Sequence, residues 1–567
     1  MTCDWSTSLH DETAKADVTT NSRDFVVGSD APLGGNRVKR VRSAAVAALC
    51  VSAAVCGTAS RAATAQAATP GVDSAFKRFW DATTPPQAAT AAGQIVTSGV
   101  LFDDAFARLE RGRTYTAKVP RGIVSLVHRI GGTDFPCVLE VPGTYDPGKK
   151  YHVRVQLHGG VGRPEAAPRT NGIGALAGAE QIYVLPTAWA SAAWWTDRQL
   201  TNLRVILDTV KRTYNVDENR VVLSGVSDGG TAAYYVAMRD TTPFAAFLPL
   251  NGTLAVLRNR SMRIDGELTP NNLRNKPMFI VNGGRDPLYP AAEVEPFIEH
   301  LSRGGVDLTY RPQPEAGHNT AWWPEVKETF ERFVREHPRN PLPDRLTWES
   351  DLGGGTGRAH WLVIDTLMPA AGGPPTRREM TDLNDFTTGP LPNFGLRVAG
   401  TRILSIAEGS NASIFDFRPG DVVVSINGTM VPAGTSVLEA LGSYQPNQVL
   451  GFVVSRGGRS LELTGFFMSA APGGVTPLFR RTSPTGRVDL VKTGNTVAVT
   501  STGVSAITLL LSPAAFDFTK PVIVTAGGRT VFDGTVTKNL ATLMTWAARD
   551  NDRTMLFGAE LKLKLTP

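Results

Sequence analysis

Between about residue 124 and residue 340, short apolar runs alternate with amphipathic stretches, and no other feature limits the fold of this chain so strongly. The runs are YHVRVQLHG (151–159), QIYVLPTA (181–188), RVVLSGVS (220–227), FAAFLPLNG (244–252), PMFIVNGG (277–284) and VDLTYRPQP (306–314). Between them lie LTNLRVILDTVKRTY, TAAYYVAMR, AAEVEPFIEHLSR and PEVKETFERFV, whose apolar residues recur at helical spacing. A strand that is apolar along its length must be covered on both faces, and helices between successive strands supply that cover. The pattern predicts an α/β domain built on a mostly parallel sheet.

The flanking segments read differently. Residues 72–118 carry Phe76, Phe79 and Trp80, then Leu101, Phe102, Phe106 and Leu109, at spacings of three to four, which predicts a helical cover for the same domain, giving it bounds of 72–340. HPRNPLPDR (337–345) is a Pro-rich boundary. RLTWES and AHWLVIDTL follow as a hairpin, a separate unit occupies 384–468, and period-two alternation returns over 486–567, broken by one helical patch, NLATLMTWAAR. A hairpin alone is marginally stable. Residues 345–370 and 478–567 are therefore expected to form one β-sandwich split by the middle unit; the competing reading packs the hairpin on the α/β domain.

Near the N-terminus, VKRVR, SAAVAALCVSAAVCGTA and SRAATAQAA follow in the order of a secretory signal, within a leader of 1–67 whose signal proper spans about 38–67, with cleavage expected after Ala67. The apolar run is about fourteen residues, short of the ~20 that span a bilayer, so no permanent membrane span is expected. The polar stretch before Val38 suits a start of translation near Val38; a cytoplasmic tail ahead of an uncleaved anchor is the competing reading. The mature chain is expected to be secreted or periplasmic, and losing the leader removes Cys3, Cys50 and Cys56. Cys137 alone then makes neither a disulfide nor a cysteine metal site. No His-x-x-x-His or Cys-x-x-Cys pattern points to a metal, and no cofactor is expected. The net charge of +6 is spread over 567 residues without a long basic block, so nucleic acid is not an expected partner.

The chemistry centres on Gly225-Val226-Ser227-Asp228-Gly229, a G-x-S-x-G that closes the strand RVVLSGV and opens the helix GTAAYYVAM. A sharp strand-to-helix turn lifts the serine Oγ above the sheet, and a Cβ at either glycine would strike neighbouring backbone. The hydroxyl needs a base. Of eight histidines, His10 is in the leader, His128, His152 and His158 precede the serine, His300 lies in a helical stretch, His337 in the boundary and His360 in the β region. His318, in EAGHNT after the last parallel run, remains, and Asp286 in NGGRDPLYP stands at the exit of the preceding strand to orient it. The order Ser, Asp, His suits this topology; a capping Asp286 and a structural His318 are the bland alternatives. The oxyanion donors are expected to be the amides of Asp228 and of Gly160, in LHGGVG.

On LHGG, GVSDGG, GGRDPLYP and AGHNTAWW, residues 124–338 resemble the α/β-hydrolase superfamily, in particular secreted esterases and prolyl-oligopeptidase-type hydrolases. The resemblance implies a serine hydrolase that acts on a small-molecule ester, with a peptidase as the alternative and a non-catalytic binding scaffold as the alternative of another class. The stretch between Gly252 and Pro277 is too short for a large lid, which implies an open site. Trp194, Trp195, Trp322 and Trp323 fit an aromatic substrate subsite and fit the core equally well. Residues 393–466 resemble a PDZ domain, through Gly409-Ser410-Asn411-Ala412, Pro419-Gly420-Asp421 and Asn427-Gly428. That resemblance implies that Phe394, Gly395 and Leu396 form the loop that receives a peptide's C-terminal carboxylate; the alternative is a module that docks only on its own hydrolase. The expected architecture is thus an α/β-hydrolase with a PDZ domain and a C-terminal β-sandwich-like domain.

Overall fold

The computed structural model describes residues 69–163, 180–259, 264, 268–369, 382–387, 394–407, 410–442, 444, 448–467, 475–479 and 483–565. The leader expected over 1–67 lies outside them.

Three helices come first, α1 (Thr69–Asp81), α2 (Pro85–Val96) and α3 (Phe102–Arg111). An antiparallel hairpin follows, β1 (Gly122–Ile130) and β2 (Thr133–Val141), and then β3 (Tyr151–Leu157), β4 (Ile182–Pro186), α4 (Asp197–Thr213), β5 (Val216–Val226) and α5 (Asp228–Arg239). The region closes with β6 (Ala246–Leu250), β7 (Met278–Gly283), α6 (Ala291–Arg303), β8 (Leu308–Gln313) and α7 (Trp323–Glu336). The strands form one sheet in the order β1-β2-β4-β3-β5-β6-β7-β8, parallel from β4 to β8.

Alternation along the central strands feeds two cores. Val221 and Leu223 join Ile206 and Leu203 of α4 on one face, whereas Val222 joins Val326 and Phe330 of α7 on the other. In β7, Met278 and Ile280 face the first core and Phe279 and Val281 the second. This is why these strands are apolar throughout. α4 begins where Thr196 accepts a hydrogen bond from the Gln199 amide, and it ends on Lys211 and Arg212, charges that suit the helix dipole.

The helices α1–α3 correct one expectation. Their apolar faces, with Phe76, Phe79, Ile95 and Leu109, form a core with Leu543, Met544, Ala547 and Leu556 from the far end of the chain instead of covering the parallel sheet. Helical spacing tells that a face is buried but not what buries it.

Past the boundary come β9 (Arg345–Ser350), β10 (Arg358–Ala359) and β11 (Leu362–Leu367), then β12 (Asp385–Thr387). The middle unit holds β13 (Leu396–Ala399), β14 (Arg402–Ile406), β15 (Val422–Ile426), β16 (Thr429–Met430), the short helix α8 (Val437–Leu441), β17 (Gln448–Arg456) and β18 (Arg459–Phe467). After β19 (Val475–Pro477) the chain forms β20 (Gly486–Thr493), β21 (Thr496–Thr502), β22 (Val504–Leu511), β23 (Val522–Ala526), β24 (Arg529–Gly534), α9 (Leu540–Asp550) and β25 (Ala559–Lys564).

Two sheets, β10-β11-β22-β25 and β24-β23-β21-β20-β9, enclose a core with Trp348, Trp361, Leu490, Leu509 and Phe557. The expected hairpin of β9 and β11 does not form: β9 pairs with β20 in one sheet and β11 with β22 in the other. The intervening loop carries Leu352 at φ 65° and Gly354 at φ 59°, and it crosses from sheet to sheet. α9 joins the two neighbouring cores, giving Trp546 to the sandwich and Leu543 and Met544 to the helices α1–α3.

The middle unit is a separate small sheet, β13-β14-β15-β17-β18 with β16 on β15, around Phe394, Phe415, Phe452 and Val437. The chain enters and leaves it side by side, because β12 pairs antiparallel with β19. That two-stranded stem is fixed to the parallel-sheet region: Phe386 stacks on Phe297 of α6 at 5.1 Å, and His300 Nε2 meets the Leu383 carbonyl at 2.9 Å.

Candidate active site

Ser227 stands between β5 and α5 at φ 58° and ψ −120°, a left-handed conformation that costs a non-glycine residue energy and persists only where surroundings enforce it. Its amide is tied to the Leu250 carbonyl at 2.9 Å, and its carbonyl accepts from Thr231 at 2.9 Å. Crowding explains the flanking glycines: a Cβ on Gly225 would lie 2.1 Å from the Gly229 carbonyl oxygen, and one on Gly229 2.2 Å from that of Leu157.

His318 and Asp286 come to this turn from the loops after β8 and β7. His318 Nε2 lies 2.9 Å from Ser227 Oγ, and its Nδ1 lies 2.7 Å from Asp286 Oδ2. The other carboxylate oxygen accepts from the amides of Leu288 and Tyr289, at 2.8 and 2.9 Å. Burial pushes the pKa of Asp286 up, but the hydrogen bonds from His318, Tyr289 and Leu288 prevail and hold it below the usual carboxylate range. An ionised Asp286 fixes the proton on Nδ1 and leaves the Nε2 lone pair facing the serine hydroxyl. The Tyr289 ring stands edge-on to the imidazole at 5.5 Å, and Asn251 Nδ2 donates to the Asn319 carbonyl at 2.8 Å, steadying the histidine loop.

Of the two expected oxyanion donors, Asp228 follows the serine directly and Gly160 follows Gly159, which packs against it. The amide of Asp228 is the first of α5, where helix N–H groups have no intrahelical acceptor. The Asp228 carboxylate accepts from the Val161 amide at 2.9 Å and so ties the glycine loop to the turn. Gly159 touches the nucleophile: a Cβ there would sit 2.7 Å from Ser227 Cβ. Gly160 follows at φ 68°.

One residue here escapes a reading by chain order. His158 Nε2 accepts from the Ala188 amide at 3.1 Å, so its proton is on Nδ1, which donates to the Gly159 carbonyl at 2.9 Å. In a trans peptide the N–H points opposite the C=O, so this bond fixes the direction of the Gly160 amide. Burial, the largest influence, lowers the His158 pKa and keeps the ring neutral, as both hydrogen bonds require. Elimination by order excludes His158 as the base; its place next to Gly159 was the available signal for a different part.

The tryptophans do not form a substrate subsite. Trp194, Trp322 and Trp323 are at most 4% exposed and Trp195 is 9% exposed, all within the two cores of the sheet. Trp194 is held by its indole N–H on the His158 carbonyl at 2.9 Å. The segment expected to be too short for a lid lies in part outside the described residues. Cys137 is buried and unpaired, its thiol pushed up to about 12 by burial. Among the described residues no cluster of His, Cys, Asp or Glu is placed to hold a metal, and no helix is long and apolar enough to cross a membrane.

In the middle unit, Phe394 is buried among Phe415, Phe417 and Phe452, Gly395 takes φ 89°, and Leu396 begins β13. Among the described residues β13 is an edge strand, with α8 beside it. Arg397 of this strand donates to the Pro287 carbonyl at 3.4 Å and lies 3.7 Å from Glu293, so the unit touches the loop that carries Asp286.

A mostly parallel sheet with a serine at the β5–α5 turn is an α/β-hydrolase-like fold, and residues 185–322 match the Dienelactone hydrolase family. The chain is 28% identical over 147 residues to a bifunctional acetylxylan esterase/xylanase of Neocallimastix patriciarum, covering 24% of this chain and 20% of that protein. It is 27% identical over 123 residues to acyl-protein thioesterase 1 of Gibberella zeae, covering 21% and 50%. The chain thus spans a fifth and a half of the lengths of these relatives. Among solved structures, a ferulic acid esterase shares 18% identity over 38% of this chain and 98% of its own, with a TM-score of 0.30. A Thermogutta terrifontis esterase shares 17% over 39% and 97%, with a TM-score of 0.33. Residues 185–322 are thus similar to the Dienelactone hydrolase family, and the relatives matched include proteins named as esterases.

Proposed function

We propose that this protein is an exported serine hydrolase that cleaves carboxylic esters through an acyl-enzyme on Ser227. The observation that carries the reading is the relay of 2.9 Å from Ser227 Oγ to His318 and 2.7 Å from His318 to Asp286.

Ser227 Oγ attacks the ester carbonyl while its proton passes to His318 Nε2, and the imidazolium formed is stabilised by ionised Asp286. The negative charge that develops on the carbonyl oxygen is met by the amides of Asp228 and Gly160. His318 returns the proton to the leaving alcohol, the tetrahedral adduct collapses, and the acyl group stays on Oγ. Water then repeats the sequence, His318 accepting its proton and giving it back to Ser227 as the carboxylic acid leaves. An ester substrate is favoured because an acetylxylan esterase and an acyl-protein thioesterase are among the relatives.

We assign to the middle unit a PDZ-type role, in which a peptide C-terminus adds as a strand to the free edge of β13. This edge supports the peptidase alternative, since a chain end held there lies on the unit that contacts the Asp286 loop. Paired assays on p-nitrophenyl esters and on peptides decide between the two, with ester turnover expected to dominate. Fluorophosphonate labelling tests the enzyme itself: wild type should label and Ser227→Ala should not, and equal labelling, or none on wild type, leaves the non-catalytic scaffold. Amino-terminal sequencing of the exported protein tests the leader, with cleavage after Ala67 expected and Met1 refuting it.

A further inference from the structure

A cavity of about 340 Å³ lies well away from Ser227, where α2, α4, the loop at 240–243 and the end of α9 meet. Val221 lines it and precedes Ser227 by six residues on β5, which at the rise of an extended strand separates the two by roughly 20 Å. Pockets of this size at the meeting of structural units commonly hold small ligands.

The charges on its wall do not balance once their partners are assigned. Asp240 pairs with Arg204 at 2.6 Å, Asp550 with Arg358 at 2.6 Å and Asp552 with Arg339 at 2.8 Å. The other two carboxylates are taken by arginines that do not line the cavity, Asp208 by Arg212 at 2.7 Å and Glu218 by Arg553 at 2.6 Å. Two cations on the wall are left over. Lys211 donates to the Asp550 backbone carbonyl at 2.9 Å and meets no carboxylate among the described residues. Arg549 has no carboxylate and no hydrogen-bond acceptor among them at all; its guanidinium lies over the Trp546 ring at 4.8 Å. The Arg358 guanidinium lies 4.4 Å from the same ring. Arg549 is exposed as a whole, and partial burial of its guanidinium, then the charges of Arg358 and Arg204, lower its pKa against the opposing charge of Asp550. A bound anion would relieve that repulsion and take up the free N–H groups. The uncharged part of the wall is mostly apolar, from Val205, Val221, Pro243 and Met555, with Thr242 beside them.

We propose that this cavity is a binding site for a small organic carboxylate with an apolar body, the carboxylate meeting Arg549 and the body lying against Val205, Val221 and Met555. The site is separate from the Ser227 chemistry. Arg549 reaches solvent, which places the charged end of the ligand at the mouth and its apolar part inside.

The test is calorimetric titration of the full folded protein with 4-tert-butylbenzoate, with 4-tert-butylbenzamide and inorganic phosphate as probes that each lack one half of the recognition. Saturable one-to-one binding of the benzoate is expected, weakened at least about tenfold in Arg549→Gln, because a charge-assisted hydrogen bond is lost. Val205→Phe, which fills the cavity and leaves its charges alone, should abolish binding and guards against a variant that misfolds. Absence of saturable binding up to roughly 10 mM overturns the proposal. So does unchanged affinity in both variants, or equal affinity for benzamide or phosphate. The readout is heat of binding, so the result does not depend on whether Ser227 is a nucleophile.

Discussion

Replacing His158 by alanine separates the orientation of the oxyanion loop from the triad. The substitution removes the Nδ1–H bond to the Gly159 carbonyl at 2.9 Å and the acceptor of the Ala188 amide at 3.1 Å, while Ser227, His318 and Asp286 keep all their mutual bonds. Ala188 is 3% exposed, so its N–H is stranded without a partner, at a cost of about 1–3 kcal/mol in stability. Deleting an oxyanion donor outright lowers turnover by about 10²–10³. Here the Gly160 amide is loosened and not deleted, so kcat on p-nitrophenyl acetate should fall roughly 10–100-fold with KM within about threefold, since the bond matters in the transition state. The pH dependence supplies a second reading. The native pKa of His158 is lowered by burial, so its contribution to stability is present in full above the unfolded value of ~6.5 and is lost as pH falls through that value toward the native one. His158→Ala should therefore destabilise less, relative to wild type, at pH 5 than at pH 8, in urea unfolding followed at both. Unchanged kcat in a folded variant refutes the assignment, as does a rise in KM that accounts for the whole loss.

Asp286→Asn keeps the shape of the site but no longer fixes the proton on His318 Nδ1, and kcat should fall by about 10⁴ with unfolding free energy little changed. Gly159→Ala places a Cβ 2.7 Å from Ser227 Cβ; fluorophosphonate labelling of Ser227 should slow by at least an order of magnitude, about the size of effects seen when reacting groups are displaced by an ångström, and wild-type labelling would contradict the close approach. Arg339→Ala strands Asp552 in the interior, where both side chains are at most 5% exposed, and should cost about 3–5 kcal/mol in urea unfolding; a loss below about 1 kcal/mol would show the pair to be dispensable.

What the sequence makes legible is what local pattern dictates. The apolar runs from 151 to 284 fall on β3 to β7, because a central parallel strand has no face to spare for polar residues, and the run at 306–314 falls on the edge strand β8. The strand-to-helix turn at Ser227 is legible because only glycine fits at 225 and 229. Long-range pairing is less legible. β9 and β11 are adjacent in the chain, and proximity suggests a hairpin, yet the glycine loop at 353–355 sends them to different sheets. The stripe of Phe76, Phe79 and Leu109 announces a buried face, and nothing in it identifies α9 as the cover. Four tryptophans near the site suit a subsite and a core alike until burial decides, and His158 is invisible to a search for bases because it serves as a brace.

The arrangement of the sandwich and the helical core also sets an order in time. β9 ends 136 residues before its partner β20 begins (486 − 350 = 136), and β11 ends 137 residues before its partner β22 begins (504 − 367 = 137). At a synthesis rate of about 5–20 residues per second, they wait roughly 7–27 s for their partners. By the end of that interval the parallel sheet and the stem-mounted unit have all their residues and the sandwich does not. The helices α1–α3 wait longer still, since the face that covers them is supplied by Leu543, Met544 and Leu556. The earliest helices of the described chain are thus among the last to be buried, and a nascent chain stopped before residue 540 would present their aromatic stripe to chaperones.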